Sequence, residues 1–257
     1  MKISICAGAY RGQDVHYHLR KVQEHGFHGL EFYDWMSLGD PKAFAKVLEK
    51  HDAVINSTCT SFFNLVDGRV QEQYLDGIRR TAEACKSLGI RSIITQTGDV
   101  IPGLSREAHI VQMVETLKRC AELLDGTDLV LELEPLNELD HPGHFLQRSD
   151  EAVRVIDAVG SPNVKLVFDV YHQQVTEGDV TRNLTNYLSR INHFHIADNP
   201  GRQQPGTGEL NYANILTAIQ NSGFEGFVGL ECGYTVDTDE ALRQFRSDVL
   251  DKLPVRI

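Results

Sequence analysis

Short apolar runs of strand length alternate with amphipathic helical stretches along the chain, and this alternation limits the fold more than any other feature. In one such stretch, Tyr74, Ile78, Ala82 and Cys85 recur at spacings of three and four residues, which is typical of one helix face. Strands that alternate with helices predict a parallel sheet. The predicted strands are residues 3–7, 29–33, 53–59, 92–97, 129–135, 164–170, 191–198 and 227–232.

The length of the chain favours closure of this sheet into a barrel. At 257 residues it suits a (β/α)8 TIM barrel, which has about 250 residues. No linker or low-complexity tract interrupts it, so we expect one α/β domain over residues 1–257. A doubly wound open sheet is the alternative. The segment GAYRGQD after the first run has Gly8 and Gly12 at the wrong spacing for a dinucleotide fingerprint.

Helix ends are marked by residues that commonly cap helices. Predicted helices cover residues 74–88, 106–124, 149–159 and 239–250. Gly89 fits the position after a helix, and Ser105, Ser149 and Asp179 fit N-caps.

Four of the predicted strands carry a metal-binding side chain near their C-terminal ends. These residues are Glu134, Asp169, His195 and Glu231. A parallel barrel brings such strand ends to one face, where catalytic residues of this fold collect. Three carboxylates and one imidazole suit a divalent cation, with Mg²⁺, Mn²⁺, Co²⁺ and Zn²⁺ as the candidates.

Strand alternation supports this placement. If Glu134 faces the barrel interior, Leu131 and Leu133 face the helices, as a barrel wall requires. Glu132 has the same parity as Glu134 and lies one step deeper. It is predicted to form a structural ion pair with Lys165 on the next strand.

Three residues beyond Asp169, His172 is predicted to lie in a loop above the strand, where it contacts metal or substrate. Asp169 itself fits a helix N-cap less well than Asp179 does. The glycine-rich segment 199–212 suits a loop over the substrate, and its Arg202 is a candidate for binding a substrate carboxylate.

Composition restricts the function classes. The formal net charge of −11 disfavours nucleic-acid binding. We expect no signal peptide and no membrane span, because no long apolar window is present. The five cysteines are scattered without a CxxC motif, which favours reduced thiols in a cytoplasmic protein.

Several segments resemble the hydroxypyruvate isomerase family, which belongs to the xylose isomerase-like barrels together with ketose 3-epimerases and inosose isomerases. The resemblance covers about residues 129–235, and the most specific piece is the segment 195–212, HIADNPGRQQPGTGELNY. The other matching segments are 134–137, 142–143, 145–146, 168–172 and 228–231.

The resemblance implies a metal bound by Glu134, Asp169, His195 and Glu231, with Glu134 and Glu231 as the acid/base pair. It implies that His172 and Arg202 contact a small hydroxy-carbonyl substrate, and that the protein forms a homodimer or homotetramer. Members close to hydroxypyruvate isomerase often carry glutamine at the position of His195, whereas the epimerases carry histidine.

Two outcomes of the chemistry stay open at this point. Proton return to the neighbouring carbon gives isomerisation, and return to the same carbon from the other face gives epimerisation.

Two other classes of protein remain as alternatives. An abasic-site nuclease shares the barrel but needs more metal ligands and a basic face, and a sugar-binding barrel without activity needs no acid/base pair.

Overall fold

A computed structural model describes residues 1–51 and 54–254, and within these residues eight parallel strands close into a barrel. Each strand pairs with the next one in the chain, and β8 pairs with β1. The (β/α)8 prediction is therefore confirmed. The strands are β1 Lys2–Cys6, β2 Gly29–Glu31, β3 Val54–Cys59, β4 Ser92–Thr95, β5 Val130–Leu133, β6 Val164–Asp169, β7 Ile191–Ile196 and β8 Phe227–Leu230.

Most of the strands end earlier than predicted. Residue 53, the predicted start of the third strand, lies outside the described residues. Glu134 and Glu231 directly follow β5 and β8 instead of ending them.

Helices surround the barrel between the strands. They are α1 Val15–Glu24, α2 Pro41–Leu48, α3 Gln71–Leu88, α4 Arg106–Leu124, α5 Ser149–Val159, α6 Val170–Thr176, α7 Val180–Tyr187, α8 Tyr212–Asn221 and α9 Thr238–Asp248. Within the described parts of the chain, none combines the length and apolar character that a bilayer-spanning helix needs.

The helix caps confirm some predictions and correct others. Ser105 accepts a hydrogen bond from the Ala108 backbone, and Gly89 follows α3 with φ 72°. Ser149 is the first residue of α5 and not its cap, because its hydroxyl group donates to Glu177 instead. Asp179 precedes α7, but its side chain makes no capping bond.

The core lies between the barrel wall and the helices, as the predicted parity requires. Leu131, Leu133, Phe168 and Phe194 are fully buried in one apolar cluster around the barrel. Inside the barrel, a small cluster of Cys59, Ile94 and Val167 packs beneath the mouth. The outward positions thus stabilise the fold, while the inward positions near the strand ends are available for polar groups.

The predicted ion pair between Glu132 and Lys165 is wrong. The two residues are register partners on β5 and β6, but Lys165 Nζ donates to the Ser189 carbonyl at the open floor of the barrel, at 3.0 Å. A long cationic side chain reaches water there at low cost. Glu132 instead accepts from Asn192 and faces His193.

An ion cluster ties α9 to the N-terminal part of the barrel, and it predicts a pH-dependent contribution to stability. Asp239 accepts from Lys21 Nζ at 2.6 Å, from His25 Nε2 at 3.0 Å and from the Tyr10 hydroxyl group. Partial burial raises the pKa of Asp239, but these donors lower it more. The pKa therefore lies well below its ordinary value.

A carboxylate whose pKa is lowered by folding stabilises the folded state above its unfolded pKa, and this stabilisation is lost as the pH falls through the folded pKa. We therefore expect Asp239→Asn to lower the free energy of unfolding by about 1–2 kcal/mol at pH 7. Urea unfolding across pH 3–7 tests this. The difference from wild type should shrink below about pH 4, and a difference that does not depend on pH would contradict the ionic origin.

Candidate active site

Four neighbouring strands place the predicted metal-binding side chains at the C-terminal mouth of the barrel. Asp169 ends β6 and is the register partner of His195 on β7. The backbone of Glu134 donates to the Thr95 carbonyl, and that of Glu231 donates to the Ile196 carbonyl. One ligand atom from each of the four side chains lies within 4.8 Å of every other. The structure thus brings together all four residues that strand parity selected.

The imidazole of His195 lies at the centre of this group. Its Nδ1 is 2.8 Å from Glu134 Oε1 and 3.2 Å from Glu231 Oε2, so the two glutamates meet at one nitrogen. Its Nε2 faces away from the cavity, 2.9 Å from Glu31 Oε2. Burial lowers the pKa of His195, but the carboxylates of Glu231, Glu31 and Glu134 raise it more. The pKa therefore lies well above its ordinary value.

Asp169 has two roles, and one of them corrects the sequence interpretation. Its Oδ1 caps α6 by accepting from the backbones of Tyr171 and His172, a role that the sequence had favoured for Asp179. Its Oδ2 stays on the cavity side, 3.6 Å from His172 Nε2 and 3.5 Å from Arg202 Nη2. Burial raises the pKa of Asp169, and Arg202 opposes that rise. One carboxylate therefore orders the helix and also faces the site.

His172 is neither in a loop nor on the surface. It lies in α6 with no exposed area, and its Nδ1 accepts from the Asn137 backbone at 3.2 Å. Burial, with Arg202 nearby, lowers its pKa to about 4, so the ring is neutral at pH 7. The remaining proton is then on Nε2, which is buried and has no hydrogen-bond partner within residues 1–51 and 54–254. Nε2 is thus a free donor beside Asp169.

Arg202 reaches the same group from the segment after β7. Its Nη2 lies 2.6 Å from Glu231 Oε2, and its buried Nε has no hydrogen-bond partner among the described residues. Burial lowers the pKa of Arg202, but the carboxylates of Glu231, Asp169 and Glu134 raise it more. Arg202 therefore stays charged. This cation offsets part of the negative charge of the site, and its Nε–H is a donor that no described residue uses.

The segment that carries Arg202 is held by a buried carboxylate. Asp198 accepts from the backbone N–H groups of Asn199, Gly206 and Leu210, at 2.7 to 3.1 Å. A side chain at Gly208 would overlap the Asn199 carbonyl at 2.2 Å, so the turn requires glycine there. The predicted substrate-covering loop is therefore tied at both ends to one aspartate, which fixes the backbone around Arg202.

Sequence reasoning missed several polar residues of the site. The Tyr33 hydroxyl group donates to Glu231 Oε1 at 3.0 Å, and Gln96 Nε2 donates to Glu134 Oε2 at 2.9 Å. Glu31 is fully buried beneath His195. A signal for Glu31 was present, because it too is an acid near the C-terminal end of an apolar strand.

Three of the four side chains, Glu134, His195 and Glu231, line a cavity of about 570 Å³, and the fourth, Asp169, is buried. The cavity wall combines aromatic and apolar groups with polar ones, which is typical of a small-molecule site. The other lining residues are Tyr33, Cys59, Thr60, Phe62, Phe63, Asn64, Ile94, Gln96, Gly98, Asp99, Leu136, His141, His144, His172 and Arg202.

The donor set fits a divalent cation. Three carboxylates and the Nδ1 of a histidine converge, and this concentration of buried negative charge is costly unless a cation offsets it. Among the described residues, a second possible group consists of Cys6, Glu31 and the far side of His195. Burial and the charge of Glu31 raise the pKa of the Cys6 thiol, so it stays protonated and is a poor ligand.

The chain is similar to known proteins of one barrel family. The profile of the family described as xylose isomerase-like TIM barrel matches residues 19–249. Hydroxypyruvate isomerase from Escherichia coli K12 is 37% identical over 178 residues, which cover 69% of this chain and 69% of that protein. 2-oxo-tetronate isomerase from Cupriavidus necator is 32% identical over 154 residues, which cover 60% of this chain and 59% of that protein.

A solved structure also superposes along nearly the whole chain. The crystal structure of AP endonuclease, family 2 from Brucella melitensis has a TM-score of 0.89 and is 26% identical. The match covers 96% of this chain and 99% of that one.

Proposed function

The chain belongs to the xylose isomerase-like TIM barrel family and is an isomerase, and we propose that it acts on a small hydroxy-keto acid, hydroxypyruvate or a close homologue. The observation that carries the proposal is the convergence of Glu134 and Glu231 on one atom of His195, with Asp169 completing the set. Two carboxylates on opposite sides of one bound carbon skeleton can remove a proton and return it.

Glu134, Asp169, His195 and Glu231 are proposed to hold one divalent cation. When bound, that cation acts as a Lewis acid toward the adjacent carbonyl and hydroxyl oxygens of the substrate. Glu231 and Glu134 each accept a hydrogen bond from one further side chain. Tyr33 and Gln96 hold the outer oxygens of Glu231 and Glu134, which fixes the planes of both carboxylates.

With hydroxypyruvate, we propose that Glu231 removes a proton from C3, which leaves an enediolate across C2 and C3. The same carboxylate or Glu134 delivers a proton to C2, and the hydroxyl proton of C3 moves to the oxygen on C2. The product is tartronate semialdehyde, so atoms and charge balance without an outside oxidant. We propose that His172 and Arg202, which both line the cavity, contact the substrate, and that the Arg202 guanidinium binds its carboxylate.

A second candidate function is epimerisation of a ketose at C3. The cavity of about 570 Å³ favours it, because it has room for a longer carbon chain than that of hydroxypyruvate. The same carboxylates serve both reactions, since only the carbon that receives the proton differs. The net charge of −11 disfavours a nucleic-acid substrate.

A substrate panel tests the proposal. We expect the Mn²⁺-loaded protein to convert hydroxypyruvate to tartronate semialdehyde with kcat/KM at least about tenfold above that for any ketose, because one carboxylate bond to Arg202 discriminates by 1.4 kcal/mol or more. Product identity is read by proton NMR. Turnover of ketoses alone, with a C3 epimer accumulating, would move the protein to the second function.

A further inference from the structure

A carboxylate that the catalytic proposal does not use lies directly beneath His195. Glu31 ends β2 and has no exposed area. Its Oε2 accepts from Ser57 Oγ at 3.1 Å and faces His195 Nε2 at 2.9 Å. Its Oε1 accepts from Ser4 Oγ at 2.7 Å and faces His193 Nε2 at 3.0 Å. An ionised carboxylate only accepts, so both facing nitrogens carry hydrogen.

The barrel wall is shaped to leave room for this carboxylate. The register between β2 and β3 shifts at Leu30/Glu31, and such irregularities re-aim side chains beside active sites. On β8, which is separated from β2 only by β1, a Cβ atom at Gly229 would lie 1.8 Å from Glu31 Oε1. Glycine at 229 is therefore required for Glu31 to occupy its place.

The polar row continues from Glu31 to the floor of the barrel. His193 Nδ1 lies 3.4 Å from Glu132 Oε2, and Asn192 Nδ2 donates to Glu132 Oε1. His193 and Glu132 have at most 1% of their surface exposed. Buried charges of this kind often cost stability relative to apolar residues of similar volume.

We propose that Glu31 is a positioning residue for the metal-binding imidazole. By holding hydrogen on His195 Nε2, it leaves the lone pair of Nδ1 directed at the space between Glu134 and Glu231. A metal-ligating histidine commonly donates its other N–H to a carboxylate, which fixes the tautomer and the ring orientation. This inference rests on the proposed function, because it assumes that the four residues bind a cation.

Glu31→Gln tests the inference through metal affinity, without reference to activity. An amide has one acceptor atom and two donor hydrogens, so it cannot accept from four donors. We expect the Kd for Mn²⁺, measured by calorimetry on chelator-treated protein, to rise by about 10- to 100-fold. At the same free Zn²⁺ concentration, ¹⁵N NMR of His195 should show metal-bound Nδ1 with hydrogen on Nε2 in wild type, and a smaller metal-bound fraction in the variant.

Glu132→Gln is the matched control. It makes the same chemical change at an equally buried position that touches His193 and does not touch His195. We expect its Mn²⁺ affinity to stay within about threefold of wild type, because Glu132 contacts Asn192 and His193 and none of the four proposed ligands. If Glu31→Gln does not fold, Gly229→Ala displaces the carboxylate while keeping its charge, and the same loss of affinity is expected.

Two results would overturn the inference. One is a folded Glu31→Gln variant, or failing that Gly229→Ala, that binds Mn²⁺ as tightly as wild type. The other is a loss in Glu132→Gln equal to that in Glu31→Gln, since this would assign the effect to buried charge in general. If wild type itself binds no divalent cation, the proposed function fails, and that outcome is distinct from both.

Discussion

Replacement of Glu231 by glutamine is expected to leave the barrel folded and to lower kcat by about a thousandfold or more, within the range that a lost general base produces. The amide keeps the size of the side chain, and its oxygen can still accept from the Tyr33 hydroxyl group. It cannot take a proton from carbon, and it is a weaker partner for a cation. Steady-state kinetics with hydroxypyruvate, together with a thermal melt, measures both parts of the expectation.

Glu225→Gln is the matched control, because it makes the same chemical change at an exposed position. Glu225 lies just before β8 and outside the cavity. We expect unchanged kcat and KM for that variant. If the Glu231 variant kept more than about a tenth of wild-type kcat, the assignment of Glu231 as an acid/base residue would be wrong, since general bases contribute at least about a hundredfold.

Removal of divalent metal is expected to abolish turnover and to lower stability. Three carboxylates within 4.8 Å of one another and of His195 repel each other when no cation offsets them. We expect chelated protein to lose all measurable activity and to regain it with Mn²⁺, Mg²⁺, Co²⁺ or Zn²⁺. At a free-metal concentration of about 100 Kd, the free energy of unfolding should rise by about 2.7 kcal/mol.

Asp169→Asn provides the comparison for this experiment. The amide oxygen can still cap α6, so the helix is retained while one negative charge of the cluster is removed. The stabilisation by metal should therefore be smaller in this variant than in wild type at the same concentration. Full activity of chelated wild-type protein, checked for residual metal, would contradict a role for the cation.

The main features of the site follow from strand alternation, which is a local property. Once Leu131 and Leu133 must face the helices, Glu134 has to face the interior, and the same argument places Asp169 and His195. A closed barrel then brings the strand ends together. This is why the fold and the four convergent residues could be predicted from the sequence.

Other features depend on tertiary detail that the local pattern does not contain. The position of Glu31 depends on a register shift between β2 and β3 and on a missing side chain at Gly229, two strands away on β8. His172 is buried because Asp169 starts a helix at once, where a loop was predicted. Lys165 has the parity to pair with Glu132, but it lies at the open floor, where its side chain finds the Ser189 carbonyl.

The most direct test of the central claim is exchange of carbon-bound hydrogen in D₂O, followed by proton NMR with Mg²⁺-loaded protein and hydroxypyruvate. Because Glu134 and Glu231 are proposed to carry the proton, deuterium should appear at C2 of the tartronate semialdehyde that forms. Chelator and Glu231→Gln should each prevent this exchange. Absence of exchange on hydroxypyruvate and on every ketose tried, with metal shown to be bound, would contradict proton transfer at this site.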